Sequence, residues 1–139
     1  MSQITAARIC LTLNGLVTAI GPFAATWSET HVYNPKWTPH ARFHNGQTMS
    51  MGALLGLATL YYTWRPGSAS RNESIKTAAI FSSIYYISGL SASFYPGALA
   101  IDPKFGEGHP QLHVFAGNLV LSFLGYWLGT RGVSGVKTD

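Results

Sequence analysis

Charge is what this chain has least of. Of its 139 residues only 10% are Asp, Glu, Lys or Arg, while 47% are hydrophobic. A soluble globular domain carries roughly 25% charged residues, so the deficit argues for a surface solvated by lipid. Five acidic residues stand against nine basic ones, a formal net charge of +4. The Lys and Arg residues occur singly and never alternate with aromatics in a stripe, which argues against a nucleic-acid partner. One cysteine, Cys10, excludes an internal disulfide and reads as a free buried thiol. The chain also lacks a GxSxG turn, a GxxxxGKS loop and a GxGxxG fingerprint, so hydrolase, nucleotide and dinucleotide chemistry have no footing. A metalloprotease HExxH is absent because Ala41 follows His40.

What the chain does have is long uncharged runs, over 9–28, 45–64, 77–101 and 111–130. Each approaches or exceeds the roughly 20 residues a helix needs to cross hydrocarbon. Lipid accepts only helices or closed barrels, and the short alternating segments of a barrel are missing. The expected fold is therefore all-α: a four-helix transmembrane bundle making one integral membrane domain over 1–139. The first run also has the makeup of a secretory signal, but its length, Asn14 and Pro22 suit a retained helix. Pro35 and Pro39, Arg65-Pro-Gly, and Tyr95-Pro-Gly with Pro110 punctuate the connections. Pro39 and Pro110 stand where helices begin, the position at which a missing N–H costs nothing.

Orientation follows from the basic residues. Arg8, Arg65, Arg71, Lys76, Arg131 and Lys137 flank the face holding both termini, against Lys36, Arg42 and Lys104 on the other. That bias predicts termini in the cytosol, and the expected location is the endoplasmic reticulum membrane. Trp27, Tyr33, Trp37 and Tyr95 mark one interface; Tyr61, Tyr62, Trp64, Tyr126 and Trp127 mark the other. Gly52, Gly56, Ser82, Gly89, Ser93, Gly125 and Gly129 supply the small residues that let membrane helices approach. The Gly125 and Gly129 spacing serves either an internal contact or a homo-oligomer.

All five histidines, His31, His40, His44, His109 and His113, fall on the non-cytosolic side, with Glu29, Asp102 and Glu107. His40 and His44 are four apart at the start of the second helix, and His109 and His113 are four apart at the start of the fourth; such pairs share a helix face. On the second helix the face continues through Gln47 to Met51. Asn14, Tyr85, Tyr86 and Asn118 lie mid-span, where polar groups normally face the bundle interior or a wet cavity. Neutral imidazoles beside carboxylates suit proton transfer. The same pairs could ligate zinc, copper or iron.

The run from His31 to Met49, HVYNPKWTPHARFHNGQTM, resembles that of a family of small four-span integral membrane proteins, common in fungi with bacterial relatives. The resemblance extends over nearly the whole chain. It implies the four-span fold and a site at His31, Pro35, Trp37, His40, His44, Asn45 and Gln47; some fungal members stand beside natural-product genes. A fainter likeness to the emopamil-binding and sterol-isomerase group is architectural only.

The function expected is a small membrane enzyme that isomerises or cyclises a lipophilic small molecule by cofactor-free acid–base catalysis. His40 and His44 are the expected proton donor and acceptor, assisted by His113, Glu29 and Asp102. His31, Trp37, Arg42, Asn45, Gln47, Tyr85, His109 and Asn118 are expected to bind substrate, with membrane lipid as the other partner. No metal is assigned. The alternative is a non-enzymatic membrane binding or accessory protein that carries a metal or a lipid.

Overall fold

The structure, a computed structural model, describes residues 2–66 and 70–131. Among them are four α-helices, a single 3-10 turn and no strand. Helix α1 spans Gln3–Thr26, α2 Pro39–Trp64, α3 Arg71–Ser91 and α4 Gln111–Arg131. Each of the first three starts on a hydroxyl cap. Ser2 accepts the Thr5 N–H at 3.2 Å, Thr38 accepts that of Ala41 at 3.1 Å and Ser70 that of Glu73 at 3.3 Å, satisfying amide donors that have no partner within the helix. Pro39 occupies the first position of α2, as its fixed φ favours.

These caps set helix starts earlier than the uncharged runs suggested, because charged and polar first turns remain helical. The end of α3 moves the other way, to Ser91 rather than Ile101. Pro96 holds Tyr95 extended, with ψ 139°, so the chain tightens through a 3-10 turn at Ala92–Phe94 and leaves the helix. Helices α1 and α4 are long and apolar enough to cross a membrane. The Ser, Thr, His and Asn residues of α2 and α3 dilute their hydropathy below that mark.

Each helix packs on the next and α1 closes the ring against α4, leaving α1 and α3 on the diagonal. Neighbours run antiparallel: near the chain's start the Arg8 guanidinium lies 5.2 Å from the ring centre of Trp64, at the end of α2. The expected glycines and Ser82 lie at the seams, whereas Ser93 falls in the 3-10 turn beyond the end of α3 and is exposed. A Cβ on Gly56 would stand 2.5 Å from both the Gly15 carbonyl oxygen and the Ala19 nitrogen, so only glycine permits this approach of α1 and α2. Gly125 and Gly129 press on Leu11 and on Ile75 with Ala7; the internal contact uses both.

At the end holding the chain start, Leu11, Ile75, Ala78 and Ala79 form a compact apolar cluster. The middle of the bundle is polar instead. The Asn14 amide donates to the Asn118 carbonyl at 2.8 Å and to the Ser122 hydroxyl at 3.0 Å, Ser82 donates to Ser122 at 2.8 Å, and Thr18 meets the Tyr86 hydroxyl at 2.8 Å. That network ties α1, α3 and α4 together and satisfies groups whose burial would otherwise be costly.

Candidate functional site

Two features occupy the end of the bundle opposite the chain start: an imidazole pair on α2 and a cavity between α2, α3 and α4. The pair follows from helix geometry, since residues four apart stack on one face. The Nε2 atoms of His40 and His44 are 3.0 Å apart, with the rings edge to face at 4.5 Å. The side-chain Oε1 of Gln47 lies 3.4 Å from His44 Nδ1. A proton on His44 Nδ1 leaves the His44 Nε2 lone pair to accept from His40 Nε2–H. Phe43 stacks on His40 at 6.4 Å and meets His44 edge-on at 5.5 Å. Both imidazoles are exposed. Thr48, the next residue on the ridge, donates to the His44 carbonyl at 3.0 Å and forms part of the cavity wall.

The cavity measures about 410 Å³ and is lined by Thr48, Tyr85, Ser88, His109, Gln111 and Phe115, with apolar residues of α3 and of the 92–110 connection. Phe115 packs edge-on against Tyr85 at 6.3 Å. Gln111 donates to the Ala100 carbonyl at 2.6 Å, which holds the connection down over the cavity, and its own side-chain oxygen is buried without a hydrogen-bond partner. The wall is mainly apolar, with a few polar groups aimed inward, the pattern of a small-molecule site.

The structure brings together some of the expected residues and separates others. His40, His44 and Gln47 form one group; Tyr85 and His109 belong to the cavity. His113 is exposed, contacts neither His40 nor His44 among the described residues, and lies outside the cavity wall. The reason is that α4 begins at Gln111, so His109 precedes the helix and does not share a face with His113. His31 packs edge-on against Trp37 at 5.0 Å and meets the Thr30 hydroxyl at 2.7 Å; its burial pushes the imidazole pKa below the ordinary 6.5.

Arg42 donates to the Asn34 carbonyl at 2.9 Å and so braces the first connection. Asp102 accepts the Lys104 N–H at 2.9 Å as a turn former. Glu29 is exposed and bonds to no imidazole among the described residues. Asn45 is buried with its amide nitrogen unpartnered, and Asn118 belongs to the buried network, donating to the Val114 carbonyl at 2.8 Å. Among the described residues no three His, Cys, Asp or Glu side chains gather closely enough to hold a metal ion.

Sequence reasoning missed Thr48, Ser88, Gln111 and Phe115. For Thr48 a signal existed, because it continues the four-residue step from His40 through His44. For the others none did, since their shared cavity depends on how α3 and α4 are rotated about their axes. No curated protein and no solved structure matches this chain. One protein family does match, over residues 10–138, a stretch that includes the His40–His44 ridge, the cavity wall and nearly all of the bundle. The chain therefore belongs to the family of unknown function DUF6640.

Proposed function

We propose that this protein is a four-span integral membrane enzyme, termini in the cytosol, that isomerises or cyclises a lipophilic small molecule by acid–base catalysis. The membrane part rests on an inverted distribution of polarity. Leu54 and Leu57 of α2 are 65% and 59% exposed, and Ile80 and Ile87 of α3 are 61% and 57% exposed, while Asn14, Thr18, Thr59 and Ser82 are 0% exposed. Water would penalise such an outer surface on all four helices, whereas hydrocarbon removes the penalty. The polar interior then serves as helix–helix glue. The endoplasmic reticulum is the membrane we assign.

The observation that carries the enzymatic part is the cavity of about 410 Å³ with His109 and Tyr85 in an apolar wall. An imidazole can take a proton from one carbon of a bound molecule and return it at another, and a mainly apolar wall suits a lipophilic substrate. Ser88 and Gln111 add polar groups to the wall for the polar atoms of a substrate. The His40–His44 pair, along the ridge that leads to Thr48, exchanges the proton with the exterior. No organic cofactor is invoked, and the substrate enters between helices from the lipid.

The test compares metabolites of cells lacking the gene with cells carrying the wild type, His109→Gln, or the double change His40→Ala and His44→Ala. The product of the wild type should vanish with His109→Gln and fall with the double change. Wild-type product from both variants would refute acid–base catalysis by these residues. The exposure of His40 and His44 favours the second reading, a non-enzymatic binding protein. In that case a lipophile co-purifies with the protein chemically unchanged, and no metabolite depends on the gene.

A further inference from the structure

At the opposite end of the bundle a smaller cavity, of about 180 Å³, is lined by Arg8, Tyr62, Thr63, Arg65, Arg71 and Ser74, with Pro66 and Ile75. Three arginines, from α1, the α2 end and the α3 start, thus line one hollow, and none of its described lining residues is acidic. The sole carboxylate on the first turn of α3, Glu73, is held by Lys76 at 2.8 Å. Two of the arginines are held in position. Arg65 donates through Nε to the Ser74 hydroxyl at 2.9 Å and lies 4.8 Å from the Tyr62 ring centre. Arg8 lies 5.2 Å from the Trp64 ring centre, and that indole is fixed by donating to the Thr12 hydroxyl at 2.8 Å. The Nε–H of Arg8 is buried and no acceptor among the described residues takes it.

Guanidinium forks match phosphate oxygens in pairs, and like charges gathered in one hollow repel unless an anion joins them. The hollow is smaller than the roughly 300–1,000 Å³ typical of whole-ligand sites, which fits a headgroup rather than an entire molecule. Tyr62 and Trp64 mark this end as the level of an interface, and basic pockets between helices on the cytosolic side bind anionic headgroups. The geometry points to a phosphate-binding site formed by Arg8, Arg65 and Arg71, filled by the phosphate of an anionic phospholipid. The site rests on the membrane reading proposed above and is independent of the chemistry at the other end of the bundle.

Native mass spectrometry of the full chain, freed of lipid in detergent, tests the assignment. Dioleoyl phosphatidic acid, dioleoyl phosphatidylcholine and inorganic phosphate are titrated separately. The expected result is a single phosphatidic acid adduct at concentrations about tenfold below those needed for phosphatidylcholine, weakened about tenfold by Arg8→Gln and by Arg71→Gln. Arg71 is exposed on the first turn of α3, and unchanged thermal unfolding of the lipid-free variant shows that its fold survives. Inorganic phosphate that binds as tightly as phosphatidic acid, with the same arginine dependence, supports the phosphate site and makes a soluble phosphate its source. Equal binding of the two lipids, or phosphatidic acid binding unaffected by Arg71→Gln in the folded protein, overturns the site.

Discussion

Replacing glycine by alanine at two positions of α2 should move stability in opposite directions. At Gly56 the new Cβ would lie 2.5 Å from the Gly15 oxygen and the Ala19 nitrogen, and 2.7 Å from the Ala19 Cβ. Two of those three atoms are α1 backbone, so no side chain can swing away. Ordinary carbon contacts lie near 3.5–4.0 Å, so α1 and α2 must part by roughly 1 Å, and a gap of that size forfeits about a quarter to a half of each contact's attraction along the seam. Overpacking of this kind costs about 1–3 kcal/mol, against a gain of about 0.5–1 kcal/mol from removing a helical glycine. The net loss for Gly56→Ala is up to about 2.5 kcal/mol. At Gly46 a Cβ meets nothing within 4 Å, so Gly46→Ala keeps the backbone gain alone, about 0.5–1 kcal/mol. Reversible unfolding in bicelles by added SDS, followed by tryptophan fluorescence, measures both. Equal shifts, or a more stable Gly56→Ala, would refute the close α1–α2 seam from which the cavity wall is hung.

Gly89→Ala probes the cavity through its packing. The added carbon would lie 2.5 Å from Phe115 Cε2, the far end of a ring that can turn, and both residues line the cavity. Product formation should fall while stability changes by less than about 1.5 kcal/mol; activity equal to that of Gly117→Ala, a site with open space around it, contradicts this. His31 predicts a pH effect. Burial lowers its pKa below 6.5, so the unfolded chain binds a proton that the folded chain resists. Its contribution is complete above 6.5 and is lost as pH falls from there toward the lower folded pKa. His31→Gln should flatten the stability profile between about pH 7 and 5, and an unchanged slope counts against a half-buried imidazole held neutral.

Much of the fold was legible because its signals are local. Proline at the start of α2, the Tyr95-Pro-Gly break and the glycines of the seams each act within a turn or two of chain, and each does in the structure what its chemistry suggests. The His40–His44 pair was legible for the same reason, because both residues lie on one continuous helix. The pairing of His109 with His113 failed because its spacing has meaning only if both residues are helical, and α4 starts between them. Asn118 looked like a substrate ligand because any mid-span amide does; in the structure its side-chain amide donates to its own helix, its backbone carbonyl accepts from Asn14 of α1, and its side-chain oxygen is buried without a partner.

Composition and spacing alone thus determined an all-helical chain, its breaks, its small-residue seams and one imidazole pair, since these depend on backbone geometry and on residues a few positions apart. Only the tertiary structure decided that His109 and Tyr85 line a cavity with Thr48, that His113 stays outside it, and that Arg8, Arg65 and Arg71 meet at the other end. Those outcomes depend on the rotation of each helix about its axis and the depth to which each pair packs. Glycine contacts between distant segments set both, and no single stretch of chain encodes them.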